Sequence, residues 1–142
     1  MLLLGVHLVT DQPIRILIVD DHAAVRRALA ELIATTTDFE LIGEACSGSE
    51  ALQLVDRYPP DMVLMDISMP GMDGVEATKG ILAKHPASTV VVFTSHAGNA
   101  RIVDALEAGA SDYVLKDTDP YEILAQLRSA ARRAASAVGR EL

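Results

Sequence analysis

Apolar residues along the chain fall into five short runs separated by polar segments with helical spacing. The runs are Ile14 to Val19, Phe39 to Ala45, Met62 to Met65, Thr89 to Phe93 and Asp112 to Leu115. Most are rich in Val, Ile or Leu and nearly continuous rather than alternating. That pattern suits strands covered on both faces, as in a parallel sheet. In the intervening segments Val25, Leu29, Leu32 and Ile33 share one helical face, as do Leu52, Val55 and Tyr58. Val75, Thr78 and Leu82 follow, then Ile102, Ala105 and Leu106, and finally Leu124, Leu127, Ala131 and Ala134, each set at the i, i+3, i+4, i+7 spacing of an amphipathic helix. Tyr58-Pro59-Pro60-Asp61 ends the second helix and His85-Pro86 the third. Gly109 stands where a helix C-cap belongs, ahead of the fifth strand. The order is a βα unit repeated five times, which predicts a doubly wound α/β domain with a five-stranded parallel sheet.

Composition narrows this picture. A length of 142 residues fits one domain, and half the residues are apolar. Aromatics make up only 4% and Trp is absent, so the core must be built from Val, Ile, Leu, Ala and Met. The formal net charge of -8 argues against direct nucleic-acid binding by this segment, because phosphate neutralisation needs an excess of Lys and Arg. An acidic balance otherwise means solubility, or carboxylates gathered around a cation. A single cysteine, Cys46, excludes an internal disulfide and is expected to be a small buried hydrophobe. The apolar start, Met1 to Val9, has no preceding Lys or Arg and is too short for a membrane span of about 18 residues or more, so the chain reads as cytoplasmic. Residues 1–13 read as an extension, 14–136 as the domain, and 137–142 as the start of a linker or a C-terminal tail.

Open parallel sheets carry their sites at the carboxyl ends of the strands. Ile16-Leu17-Ile18-Val19 runs into Asp20 and Asp21, and Met62-Val63-Leu64-Met65 runs into Asp66. The fourth strand runs into Thr94-Ser95 and the fifth into Lys116. Each residue alone has a plain structural role: helix-start carboxylates, a turn Asp, a strand Thr, a surface Lys. Together they bring three carboxylates, a hydroxyl and an ammonium to one edge. Three close carboxylates repel one another and are accommodated around a divalent cation. Oxygen-only ligands favour Mg²⁺ or Mn²⁺ over Zn²⁺. Such a set can position a phosphoryl group, with Asp as the nucleophile.

These residues resemble the receiver domain of two-component response regulators. Val19-Asp20-Asp21-His22 resembles its acidic pair, and Leu64 to Gly74 (LMDISMPGMDG) resembles its phosphoacceptor segment. Phe93-Thr94-Ser95 and Val114-Leu115-Lys116 resemble the two remaining motifs. The four occur in order, with 45 residues from Asp21 to Asp66, 28 more to Thr94 and 22 more to Lys116. The resemblance spans Ile14 to about Ala135 and implies a flavodoxin-like fold with strand order 2-1-3-4-5. It implies that Asp66 is the phosphoacceptor and that Asp20, Asp21, Asp66 and the backbone carbonyl of Ser68 hold Mg²⁺ or Mn²⁺. Thr94 and Lys116 then assist phosphoryl transfer, and Thr94 and Tyr113 form the switch. A sensor histidine kinase would donate the phosphoryl group, and phosphorylation would drive homodimerisation. The receiver is a switch rather than a metabolic enzyme, limited to its own phosphorylation and slow dephosphorylation.

Where many receivers follow the lysine with Pro, this chain has Asp117. Val-Leu-Lys-Asp resembles the NarL/LuxR-type subfamily, which implies transcription control through a C-terminal helix-turn-helix absent from these residues. Ser68 and His96 fall where the family tunes water access, while His7, His22 and His96 themselves read as solvated loop residues. Arg128, Arg132 and Arg133 read as a solvated face of the fifth helix. An aspartate-nucleophile phosphatase would need Asp-x-Asp after its first strand, and neither Asp20-Asp21-His22 nor Asp66-Ile67-Ser68 supplies it. A flavin binder would need a phosphate-cradling loop where Asp20 and Asp21 stand. The remaining alternative is a receiver fold used for dimerisation or interaction without phosphorylation.

Overall fold

The computed structural model describes residues 12–141, with side chains through 137. The order is β1 (Ile14–Val19), α1 (Ala23–Ala34), β2 (Phe39–Ala45), α2 (Gly48–Arg57), β3 (Met62–Asp66), α3 (Gly74–Lys84), β4 (Thr89–Thr94), α4 (Arg101–Glu107), β5 (Asp112–Leu115) and α5 (Pro120–Glu141). All five strands are parallel, in the order β2-β1-β3-β4-β5.

The continuous apolar runs are explained by two cores, one on each face of the sheet. Successive residues of a strand point to opposite faces. Leu17, Val19, Val63, Met65, Val90 and Val92 therefore pack with Ala51 and Val55 of α2, Val75, Ala77 and Ile81 of α3 and Ile102 and Ala105 of α4. Ile16, Ile18, Met62, Leu64, Val91, Phe93 and Val114 pack on the other face with Leu29 and Ile33 of α1 and Ile123, Leu124, Leu127 and Ala130 of α5.

Several helix ends are fixed by local chemistry. At α2 the N-cap Ser47 hydroxyl accepts from Glu50 N at 3.1 Å, while the Glu50 carboxylate reaches back past the N-cap to accept from Cys46 N at 2.7 Å. At α3 the Asp73 carboxylate accepts from Val75 N and Glu76 N and also pairs with Arg101. Gly109 follows α4 with φ +116, a conformation that only glycine adopts without strain.

Two readings are corrected. Cys46 is exposed, because it lies one residue past β2, an edge strand with a helix-facing side only partly covered. Tyr58 and Leu106 are exposed, lying at the ends of α2 and α4 where the buried faces have ended. The helix side of that core is filled instead by Ala51, Ala77 and Ile81. Residues 137 to 141, read as the start of a linker or a C-terminal tail, are helical and continue α5. The fifth-helix arginines read as a solvated face stay largely exposed, Arg128 pairing with Asp38 at 2.6 Å and Arg133 with Asp112 at 2.9 Å. Residues 1 to 11 of the expected extension, including His7, lie outside the described residues.

Candidate functional site

The parallel register delivers the strand-end residues to one edge. Val19 pairs with Met65, so Asp20 and Asp66 follow side by side on neighbouring strands. Asp66 pairs with Phe93, so Thr94 follows at the next position. Thr94 pairs with Leu115, and its carbonyl accepts from Lys116 N at 2.8 Å. Asp20 N donates to the Ala45 carbonyl at 3.0 Å, fixing the turn that carries both acidic residues.

Asp20 and Asp66 are almost completely buried, at 1% and 2% exposure. The Ser68 amide donates to Asp66 Oδ1 at 3.0 Å, so one oxygen of that carboxylate is held by its own loop. The Lys116 ammonium reaches Asp20 Oδ2 at 2.8 Å and Asp66 Oδ2 at 3.6 Å. It also lies 5.7 Å from the centre of the Phe93 ring, which shields one side of the charge. Neither lysine contact is a well-directed hydrogen bond. Asp20 Oδ2, Asp21 Oδ1 and Asp66 Oδ2 are all buried oxygens without a hydrogen-bond partner.

Buried carboxylate oxygens without hydrogen bonds are costly, and the single Lys116 ammonium, shared between Asp20 and Asp66, offsets only part of that cost. Burial is the main reason Asp66 is pushed above the usual carboxylate range, opposed by the Ser68 amide, with Asp20 pushing it up further, Lys116 pulling it down and Asp21 raising it. A hard divalent cation with oxygen ligands fits this donor set. Ligand atoms of Asp20, Asp21, His22 and Asp66 all lie within 4.8 Å of one another.

Thr94 is buried at the end of β4, beside this cluster in register. Tyr113 lies on the edge strand β5 and is exposed, at 38%. Ser68 is exposed at the start of the loop after Ile67. The residues at the strand ends thus gather at one edge, with Asp20, Asp21 and Asp66 clustered, Lys116 paired with Asp20 and Asp66, Thr94 adjacent and Tyr113 outward. The strand-end reading missed His22, whose Nδ1 lies 3.2 Å from Asp20 Oδ1 and 3.1 Å from Asp21 Oδ1 although the side chain is largely exposed. It also missed Gly74. A Cβ there would lie 2.6 Å from Ile67 Cα and 2.9 Å from the Asp66 carbonyl carbon. The acidic pair followed directly by His was the one signal for the first, and the Asp73-Gly74 step for the second.

Comparison with known proteins agrees with this architecture. The family model described as the response regulator receiver domain matches residues 16–128. The transcriptional regulatory protein YhcZ of Bacillus subtilis is 44% identical over 110 residues, covering 78% of this chain and 51% of that protein. A LuxR-family two-component response regulator from Aurantimonas sp. SI85-9A1 superimposes with a TM-score of 0.80 at 37% identity, covering 85% of this chain and 86% of that one. A chain from the CheX-CheY-BeF3-Mg²⁺ complex of Borrelia burgdorferi superimposes with a TM-score of 0.76 at 28% identity, covering 83% and 89%. The chain spans about half the length of the curated relatives it matches.

Proposed function

The chain belongs to the response regulator receiver domain family, with NarL/LuxR-type relatives, and on that premise we propose that it is a signalling switch in which Asp66 takes the phosphoryl group. The observation that carries this reading is the asymmetry of the Asp66 carboxylate. Oδ1 is held by the Ser68 amide, while Oδ2 is buried, free of hydrogen bonds and faces the Lys116 ammonium.

A histidine-kinase phosphohistidine is the proposed donor. Asp66 Oδ2 attacks phosphorus as the P–N bond breaks, and the leaving imidazole nitrogen keeps the bonding pair. Lys116 neutralises a phosphoryl oxygen, and its contact with Asp20 keeps it over the site beforehand. Asp20, Asp21, Asp66 and the Ser68 carbonyl would hold Mg²⁺ or Mn²⁺. When bound, the ion neutralises charge on the carboxylates and on the transferred group. The related Borrelia burgdorferi structure is a complex that contains BeF3 and Mg²⁺. The three unpartnered carboxylate oxygens support the same cation class here.

Phosphorylation adds negative charge and acceptor oxygens at Asp66. In the proposed switch Thr94 turns its hydroxyl toward them and Tyr113 moves inward from its exposed position. The α4–β5 face changes as a result and a homodimer forms. The output is control of transcription, through a helix-turn-helix domain outside these 142 residues, as the transcriptional role named for YhcZ suggests. The protein works in the cytoplasm; among the described residues no helix is long and apolar enough to cross a membrane. Its own chemistry is limited to acquiring the phosphoryl group and slowly hydrolysing it.

The test is incubation with acetyl phosphate, with MgCl2 or with EDTA, followed by intact mass measurement. The expected result is a gain of one phosphoryl group only with Mg²⁺. No gain in either case would favour a receiver fold used for dimerisation without phosphorylation.

A further inference from the structure

His22 is the N-cap residue of α1, yet its side chain makes no capping hydrogen bond. Its backbone N–H donates to Asp20 Oδ1 at 2.9 Å, which turns the ring toward the acidic pair. The imidazole Nδ1 then lies 3.2 Å from Asp20 Oδ1 and 3.1 Å from Asp21 Oδ1. One ligand atom from each of Asp20, Asp21, His22 and Asp66 falls within a 4.8 Å span. Donors about 2.0–2.2 Å from a common ion are separated by up to about 4.4 Å, so only small side-chain movement closes that set.

An independent observation points to a ligand at this position. Asp20 Oδ2, Asp21 Oδ1 and Asp66 Oδ2 are buried and accept no hydrogen bond. The ammonium beside them, that of Lys116, is shared between Asp20 Oδ2 at 2.8 Å and Asp66 Oδ2 at 3.6 Å, which leaves the three carboxylates with less than one positive charge each. The ring itself is 67% exposed, so it can rotate onto an ion without disturbing either core.

We propose that His22 completes an imidazole–carboxylate site with Asp20, Asp21 and Asp66 that binds divalent transition-metal ions more tightly than Mg²⁺. The inference rests on the reading that this acidic set holds a divalent cation. Mg²⁺ prefers oxygen ligands and gains little from a nitrogen donor. Imidazole suits the later first-row ions, for which affinity rises along the series from Mn²⁺ to Cu²⁺. His22 therefore sets which metal the switch carries when both kinds are present.

The experiment is a pair of calorimetric titrations of the full chain, with MgCl2 and with CoCl2, on wild type and His22→Ala. It is accompanied by NMR of the histidine ring protons during Co²⁺ addition. His22 makes no side-chain cap, so the variant should fold, and circular dichroism checks this. The other three histidines of the chain remain in the variant and supply the background for non-specific Co²⁺ binding. Wild type should bind Co²⁺ more tightly than Mg²⁺, with the His22 ring resonances shifted or broadened first. His22→Ala should weaken Co²⁺ on the order of tenfold or more and leave Mg²⁺ unchanged. Unchanged Co²⁺ affinity in His22→Ala, or undisturbed His22 resonances in wild type, overturns the proposal. Loss of Mg²⁺ binding alone in wild type would instead count against the Mg²⁺ reading, while a His22-dependent Co²⁺ site would stand.

Discussion

Gly74 stands so close to the backbone of Asp66 that no side chain fits between them. A methyl group at Gly74 would lie 2.6 Å from Ile67 Cα and 2.9 Å from the Asp66 carbonyl carbon, closer than carbon atoms approach without a shift. The first residue of α3 thus fixes the end of β3, and with it the position of the Asp66 carboxylate.

Filling that contact should be costly. Gly74→Ala should destabilise the fold by about 1–3 kcal/mol through overpacking. It should also slow phosphorylation, because the backbone that carries Asp66 must move. Thermal melting and timed intact-mass measurements check this, and a variant with unchanged melting and rate would show that the contact yields freely.

Asp66 should also be a source of instability in the metal-free chain. Burial holds its pKa above the unfolded value, so the native state binds the proton more tightly. Stability therefore falls as pH rises from the ordinary carboxylate value of 3.8 through the raised folded value, and stays lower above it. Asp66→Asn removes this penalty. In EDTA the variant should melt higher than wild type at pH 7, and the two should converge toward pH 3. Equal melting temperatures at pH 7 would contradict this.

Lys116 is the cation that the metal-free cluster already contains. Removing it leaves Asp20 and Asp66 buried without a counter-charge, a change that costs about 3–5 kcal/mol for a fully buried pair. Lys116 is partly open, with 19% side-chain exposure, so roughly 1–3 kcal/mol is expected for Lys116→Ala after screening. MgCl2 should recover part of that loss. Urea denaturation with and without Mg²⁺ measures both effects.

The Arg128–Asp38 pair links α5 to the turn before β2 through contacts of 2.6 and 3.0 Å, but both side chains are substantially exposed. Arg128→Ala should cost less than about 1 kcal/mol at neutral pH. The hydrogen bond from Arg128 holds the Asp38 carboxyl below its ordinary 3.8. Its contribution is therefore fully present above pH 3.8 and is lost as pH falls through the lower folded value. The gap between variant and wild type should close only in that acid range, as seen by melting temperature against pH.

The site was legible in the sequence because a parallel sheet turns strand order into spatial convergence. Asp20, Asp66, Thr94 and Lys116 each follow an apolar run, and the register brings those run ends to one edge. Side-chain contacts within the loops were not legible. The approach of His22 to Asp20 and Asp21 depends on a backbone turn that the Asp20 carboxylate itself organises. The exposure of Cys46 depends on β2 being an edge strand, a property of topology rather than of the residues around it. The pairing of Arg128 with Asp38 joins residues 90 positions apart that no local pattern connects.

Locating the phosphoryl group would decide the role of Asp66. The chain is treated with acetyl phosphate and MgCl2, reduced with borohydride, digested and mapped by tandem mass spectrometry. Borohydride converts an acyl phosphate to an alcohol, so homoserine is expected at residue 66 and at no other carboxylate. Homoserine at another position, or phosphorylation that survives in Asp66→Asn at the wild-type rate, would show that Asp66 is not the acceptor.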